Sequence, residues 1–194
     1  FVTGGPDGLI YPNIAKSWEI IDEGKAYIFH LREGMKWSDG EPVTADDALF
    51  WWEVNTDTNL EGPPHSTFQV GGETAVWEKL DDYSFKITFA ETNATFLEFL
   101  ASEGRARLLF PKHYLKQYYP KYSSEEEVQK LVEEAGYDSW QQLFDFKLQW
   151  PNKNPERPVI TAWRSKNDPS STYYKLERNP YYWKVDTAGN QLPY

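Results

Sequence analysis

The sequence predicts a mixed α/β fold in which β-hairpins pack with several helices. Two segments in the first half alternate apolar and polar residues, which is the period of half-buried strands. Capped amphipathic segments in the second half indicate helices. With 40% hydrophobic and 17% aromatic residues among 194, the chain is able to bury a core.

The first β-hairpin is predicted in residues 17–37, SWEIIDEGKAYIFHLREGMKW. Its apolar side chains recur at every second position on both sides of a turn at Glu23-Gly24-Lys25. A second hairpin is predicted in residues 74–90, TAVWEKLDDYSFKITFA, where Asp81-Asp82 suits the turn. The first half therefore supplies the sheet of the predicted fold.

Between the hairpins, a helix is predicted to begin after Thr44, which caps it, with Asp47 three residues later as in a capping box. The helix carries two apolar faces, so we expect it to be covered on two sides and its adjacent tryptophans to hold it against the hairpins. The faces are Ala45, Ala48, Leu49 and Trp52, and Phe50, Trp51 and Val54.

Residues 55–73 lack periodicity and contain Gly and Pro, which predicts a long loop. Helices are predicted in residues 94–103, 111–119, 123–136 and 138–146, and strands in residues 159–164 and 172–179. The third of these helices has a capping box formed by Ser124 and Glu127 and ends at Gly136. Asp138 is the predicted cap of the fourth.

Composition and motifs argue against several classes of function. A net charge of −10 and the lack of a Lys/Arg stripe argue against binding of nucleic acid. The chain has no Cys, so it has no disulfide, thiolate nucleophile or zinc knuckle. His30, His65 and His113 do not have metal-ligand spacing, and no phosphate-binding loop or nucleophile elbow occurs. We predict neither a metal site nor a cofactor.

Three carboxylates, Asp46, Asp47 and Glu53, are the remaining candidates for catalysis. A glycosidase needs two carboxylates that face one bond at a defined separation. Asp46 and Asp47 are adjacent on the predicted helix and diverge by about 100°, so they do not flank one bond. Their predicted role is to interact favourably with the helix dipole. No catalytic residue is therefore predicted.

A longer pattern, IAKSWEIIDEGKAYIFHLREGMKWSDGEPVTADDALFWWE, resembles the family 5 extracellular solute-binding proteins, the oligopeptide- and dipeptide-binding group of ABC importers. The segments LDDYSFKITF, FPKHYL and YYKLERNPYYW agree with the same family in the same order. The matching motif residues are Phe29, Leu31, Arg32, Gly34, Lys36, Trp37, Asp39, Gly40, Pro42, Val43, Thr44, Ala45 and Asp47.

The resemblance implies part of a type II periplasmic-binding-protein-like lobe. Residues 1–110 are expected to form the small sub-domain of lobe I and residues 111–194 an incomplete main sub-domain, with the second lobe absent. The implied function is to capture a peptide or another small solute, such as an oligosaccharide, and to deliver it to the membrane permease of an ABC transporter. The implied location is periplasmic or extracellular, with a lipoprotein anchor as one form of attachment.

In relatives, a loop after the TADD helix contributes an aromatic residue to the ligand, and the matching loop here offers His65 and Phe68. These are the expected ligand-binding residues. The chain departs from the family by lacking a G-T-G-P-Y phrase before LERNP. The alternative function is a carbohydrate-binding or carbohydrate-processing module, which the aromatic excess and the acidic charge favour.

Overall fold

The computed structural model describes residues 1–60, 64–102, 108–167 and 170–193. The chain divides into two compact units, one formed by residues 1–33 and 44–110 and the other by residues 34–43 and 111–194. The assignment of residues 1–110 and 111–194 to two sub-domains of a larger lobe stays a prediction. In the described residues, no helix combines the length and hydrophobicity that a membrane span requires.

The first unit is built on a four-stranded antiparallel sheet, which confirms both predicted hairpins. The strands are β3 (Ala15–Ile21), β4 (Ala26–Leu31), β7 (Val76–Asp81) and β8 (Ser84–Thr88). Their spatial order is β3-β4-β8-β7, so the two hairpins pair through their inner strands. Phe29 lies opposite Trp18 on one side and Phe85 on the other.

The two central strands of this sheet bury most of their apolar side chains, whereas Ile20 on the edge strand β3 is exposed. Tyr27 and Phe29 on β4 are at most 1% exposed, but Ile20 on β3 is 54% exposed. Ile20 lies opposite Tyr27 in the register and therefore on the same face of the sheet. The alternation along β3 was thus correctly predicted, but burial of Ile20 was not, because an edge strand has one neighbour fewer.

Helix α1 (Ala45–Thr56) begins where the capping box predicts. The Asp47 carboxylate accepts the backbone N–H of Thr44 at 3.0 Å. Asp46 instead pairs with Lys79 Nζ at 2.8 Å, and the same ammonium pairs with Asp82 at 2.8 Å. These contacts join the start of α1 to the β7–β8 turn.

Further elements of the first unit include a terminal hairpin that the sequence analysis missed. It consists of β1 (Val2–Gly4) and β2 (Ile10–Pro12). The predicted long loop contains a 3₁₀ turn (Ser66–Phe68) and two short strands, β5 (Gln69–Val70) and β6 (Glu73–Thr74). Helix α2 (Phe96–Ser102) follows β8. Residues 61–63 of the loop prediction and Glu103 of the helix prediction lie outside the described residues.

The second unit contains helices α3 (Lys112–Leu115), α4 (Glu125–Ala135) and α5 (Trp140–Leu148). A capping box at Ser124 and Glu127 begins α4, and Gly136 with φ 73° ends it, as predicted. The predicted cap of α5 was wrong by one residue: Ser139, not Asp138, accepts a hydrogen bond from the backbone N–H of Gln142. Two short strands, β9 (Trp163–Ser165) and β10 (Leu176–Arg178), pair as an antiparallel ladder.

Residues 34–43 belong to this second unit. The Ser38 backbone N–H donates to the Val159 carbonyl at 2.9 Å, and the Val159 backbone N–H donates to the Ser38 hydroxyl oxygen at 3.1 Å. His113 Nε2 lies 2.7 Å from the Asp39 carboxylate. Gly40 has φ 98°, a conformation that favours glycine, and a Cβ atom there would lie 3.2 Å from Tyr181, which leaves little space for a side chain.

Candidate ligand-contact loop and its aromatic support

An aromatic ladder, formed by Trp52, Trp77, Phe85 and Phe29, runs from α1 across the sheet of the first unit. The ring centroids are 5.0 Å apart between Trp52 and Trp77, 5.4 Å between Trp77 and Phe85, and 5.6 Å between Phe85 and Phe29. The corresponding interplanar angles are 8°, 9° and 26°, so the rings are stacked. Trp51 also lies 5.6 Å from Trp77, so both adjacent tryptophans pack α1 against the second hairpin, as predicted.

The ladder is buried in its interior and partly open at α1. Trp77 is 8% exposed and Phe85 is fully buried, whereas Trp51 and Trp52 are only partly buried. The Trp77 Nε1 hydrogen is buried without an acceptor in the described residues. The ladder is therefore held mainly by ring packing.

Phe68, one of the two predicted ligand-binding residues, lies in this aromatic core. It is 3% exposed, and its ring centroid is 5.6 Å from Trp51, 5.4 Å from Trp52 and 5.7 Å from Phe96. Its burial fixes one end of the 3₁₀ turn to the first unit. The side chain therefore packs beneath the loop in this structure.

His65, the other predicted residue, is exposed at the start of the same 3₁₀ turn. Its ring stacks on Phe99 of α2 with a centroid distance of 5.0 Å and an interplanar angle of 27°. Its Nδ1 atom accepts the backbone N–H of Thr67 at 3.2 Å. The turn thus brings both predicted residues onto one short segment, with one side chain inside and the other outside.

Asn93 ties this turn to the rest of the first unit. Its side-chain amide donates to the Thr67 carbonyl at 3.0 Å, and its own carbonyl accepts the Tyr27 hydroxyl at 2.7 Å. Burial raises the pKa of the Tyr27 phenol, and the Glu98 carboxylate raises it further. The phenol therefore stays protonated as a donor at neutral pH. Sequence reasoning missed Asn93 and Phe99, because both meet the turn only through tertiary contacts.

A polar cluster on the four-stranded sheet has its side chains paired with one another across neighbouring strands. Glu19, His30 and Ser84 form a chain of contacts across three strands, with His30 Nε2 2.9 Å from Glu19 and Nδ1 2.9 Å from Ser84. Ser84 is 7% exposed and lies within β8, so its hydroxyl does not face an open surface. Within the described ranges, no group of three or more His, Cys, Asp or Glu side chains is arranged to hold a metal ion.

Residues 10–194 match the family model described as bacterial extracellular solute-binding proteins, family 5 middle. The chain is 36% identical over 184 residues to the periplasmic alpha-galactoside-binding protein of Rhizobium meliloti (strain 1021), covering 94% of this chain and 24% of that protein.

Solved structures agree with this match. An oligopeptide-binding protein OppA superposes with a TM-score of 0.90 at 39% identity, covering 100% of this chain and 30% of that chain. The periplasmic binding protein MelB of Agrobacterium fabrum C58, in complex with stachyose, gives a TM-score of 0.69 at 34% identity, covering 95% of this chain and 25% of that one.

The chain therefore spans about a quarter to a third of the length of these three proteins. The observed mixture of strands and helices, together with these superpositions, confirms the predicted type of fold. The matched region extends over nearly the whole chain, from β2 to the terminal residues. The chain belongs to the bacterial extracellular solute-binding proteins of family 5.

Proposed function

We propose that this chain is part of the substrate-binding component of an ABC importer. The component captures a peptide or an oligosaccharide outside the cytoplasm, in the periplasm or at the cell surface, and delivers it to the membrane permease. The observation that carries the proposal is the family match over residues 10–194. The superposition on an oligopeptide-binding protein with a TM-score of 0.90 supports it.

The relatives leave two solute classes for this protein. One relative is described as binding alpha-galactosides and one solved structure contains stachyose, whereas another is described as an oligopeptide-binding protein. Sugar hydroxyls and peptide carbonyls both offer uncharged oxygen acceptors, so a site of hydrogen-bond donors and aromatic rings suits either class. We keep both classes and separate them by experiment.

We further propose that the component binds its solute without changing it. Asp46 and Asp47 have separate partners, Lys79 and the Thr44 backbone, so they do not act as an acid/base pair. The contact chain from Glu19 to Ser84 ends on a buried hydroxyl within a strand. Both observations favour binding over turnover.

We propose the loop at His65 and Phe68 as a ligand-contact element. His65 is exposed and has its ring held by neighbouring groups, which favours direct contact with the solute. Phe68 packs beneath the same turn, which favours a contribution through the position of the loop. Both assignments require a bound solute for their test.

The test is a thermal-shift measurement on the complete protein with stachyose and with a mixture of short peptides. A ligand present at a concentration of 100 times its Kd stabilises the folded protein by about 2.7 kcal/mol and so raises the Tm. We expect one of the two classes to raise the Tm and the other to leave it unchanged. Incubation with stachyose followed by chromatography serves as the second arm, because release of galactose would support a carbohydrate-processing module instead.

A further inference from the structure

The His65 side chain is exposed, yet contacts with Phe99 and Thr67 hold its ring in place. One of its faces stacks on Phe99, and its Nδ1 atom lies 3.2 Å from the Thr67 backbone nitrogen and 3.0 Å from the Thr67 hydroxyl oxygen. The turn that carries it is anchored from below by Phe68 and through Thr67 by Asn93. Both the backbone and the imidazole are therefore fixed before any ligand arrives.

These contacts also determine where the ring carries its proton. A backbone N–H is only a donor, so the Nδ1 atom that accepts from Thr67 has to be unprotonated. The neutral imidazole then has its hydrogen on Nε2. The Nε2 edge of the ring, which has no hydrogen-bond partner among the described residues, therefore presents an N–H donor in an orientation set by the stack on Phe99.

We infer that His65 Nε2–H is a pre-oriented hydrogen-bond donor to an uncharged acceptor oxygen of the solute, and that Phe99 is the positioning residue that holds it. The inference rests on the proposed function and specifies the chemistry of its contact loop. The oxygen is a sugar hydroxyl or a peptide carbonyl. An ammonium or guanidinium group does not fit there, because two donors would face each other.

We expect Phe99 to increase the affinity for the solute, because it holds the His65 ring in one orientation before binding. An exposed imidazole that is free to rotate loses rotamer entropy when a ligand immobilises it. Stacking on Phe99 removes that freedom beforehand, so less binding energy is spent on ordering the ring. Phe99 then influences binding without touching the solute.

The donor is tested with two variants of His65 in the complete protein. His65→Asn keeps an acceptor near the Nδ1 position, which suits the start of the 3₁₀ turn, but it removes the Nε2–H donor. His65→Gln places an amide N–H near the position of Nε2. We expect Kd for the solute class found by thermal shift to rise about 3- to 10-fold in His65→Asn, with less loss in His65→Gln. Equal affinities of His65→Asn and the wild type would contradict the inference.

The positioning role is tested with Phe99→Leu and Phe99→Tyr. Leucine keeps much of the apolar volume but has no ring face, whereas tyrosine keeps the ring. Proton–nitrogen correlation spectra of protein labelled with ¹⁵N-histidine report the tautomer of His65 without any ligand. We expect one Nε2–H tautomer in the wild type and in Phe99→Tyr, and mixed tautomers with weaker solute binding in Phe99→Leu. Identical spectra and Kd values in all three proteins would overturn the role of Phe99.

The two readouts separate the failure of this inference from the failure of the proposed function. If neither solute class binds the wild type, the proposed function fails and the donor role fails with it. If the wild type binds and the His65 and Phe99 variants bind equally well, only the inference fails. A far-ultraviolet circular dichroism spectrum of each variant identifies any loss of affinity that comes from unfolding.

Discussion

Trp77 has the central place in the aromatic ladder, between Trp52 and Phe85. Because it is 8% exposed and stacked on both faces, we expect Trp77→Ala to lower the free energy of unfolding by about 3–5 kcal/mol. Trp52 lies at the partly exposed end of the ladder, so Trp52→Ala should cost less. Urea denaturation followed by circular dichroism measures both changes.

Trp77→Phe is the matched control for this prediction. The buried Trp77 Nε1 has no acceptor in the described residues, so a phenyl ring in its place loses no hydrogen bond there. We expect Trp77→Phe to be clearly less destabilising than Trp77→Ala. An equal loss in the two variants would indicate that Nε1 has a partner, such as a buried water, that contributes to stability.

Asn179 forms hydrogen bonds with backbone groups of the second unit. It is fully buried, its amide donates to the Thr161 carbonyl at 3.0 Å, and its side-chain oxygen accepts the Tyr181 N–H at 2.9 Å. Asn179→Ala leaves these groups unpaired, which should cost about 1–3 kcal/mol. Denaturant titration of the variant checks this loss.

Asn179→Asp provides the pH-dependent counterpart. A carboxylate still accepts from Tyr181, but it repels the Thr161 carbonyl and is buried as a charge, so its folded-state pKa lies above its unfolded value. Protonation therefore stabilises the folded variant as the pH falls. We expect Asn179→Asp to be less stable than Asn179→Ala at pH 7 and to recover toward about pH 4. A constant difference between the two variants across this range would contradict the assigned hydrogen bonds.

At the scale of the elements, the start of α4 predicts a pH dependence of stability. The Glu127 carboxylate accepts the backbone N–H of Ser124 at 3.0 Å and its hydroxyl at 2.9 Å, and these hydrogen bonds lower the pKa of Glu127 below its ordinary 4.5. The resulting stability is present above pH 4.5 and is lost as the pH falls through the folded-state pKa.

Glu127→Gln tests this capping box, because glutamine still accepts the hydrogen bonds but does not titrate. The difference in urea midpoint between pH 6 and about pH 3.5 should therefore be smaller in this variant than in the wild type. Glu126→Gln, one residue earlier and outside the capping box, is the control and should retain the wild-type difference. If both substitutions reduce it equally, the effect comes from general charge and not from the cap.

Local signals explain why so many elements were predictable. The capping boxes at Thr44 and Ser124 and the turn at Gly136 each involve residues at most four positions apart. The cap of α5 was displaced by one residue because Asp138 and Ser139 both favour that position in a sequence. The Gly- and Pro-rich composition of residues 1–13 concealed the β1–β2 hairpin.

Burial was less predictable than secondary structure, and this limited the prediction of the candidate site. Phe68 and His65 are three residues apart, yet one is in the core and the other is exposed. Phe68 packs against Trp51 and Trp52, whereas His65 stacks on Phe99. All three partner residues are distant from this turn in the sequence. The loop was therefore identifiable by family resemblance, whereas the opposite orientations of its side chains required the structure.

At the scale of the whole molecule, the division of the chain predicts which fragments fold. Residues 34–43 contribute Ser38 and Asp39, which contact Val159 and His113 within the second unit. A fragment of residues 111–194 lacks these partners and leaves Val159, which is 5% exposed in the structure, open to water. We expect this fragment to have a weak circular dichroism signal and no cooperative thermal transition.

The matched fragment joins residues 34–43 through a Gly/Ser linker to residue 111. We expect it to show more secondary structure and a sharper transition than residues 111–194 alone, because the linker restores the Ser38 and Asp39 contacts. If residues 111–194 unfold as cooperatively without the added segment, the contacts of residues 34–43 do not contribute to the stability of the second unit.

The position of Ser38 also sets an order of events during synthesis. Its hydrogen-bond partner Val159 lies 121 residues later in the chain. At a ribosomal rate of about 5–20 residues per second, Val159 is synthesised roughly 6–24 s after Ser38. Every residue of the first unit is synthesised before Val159, whereas residues 34–43 are made before most of the second unit to which they belong. Of the two units, the second therefore receives its final residues later, and its earliest-made segment spends the longest time without its partners.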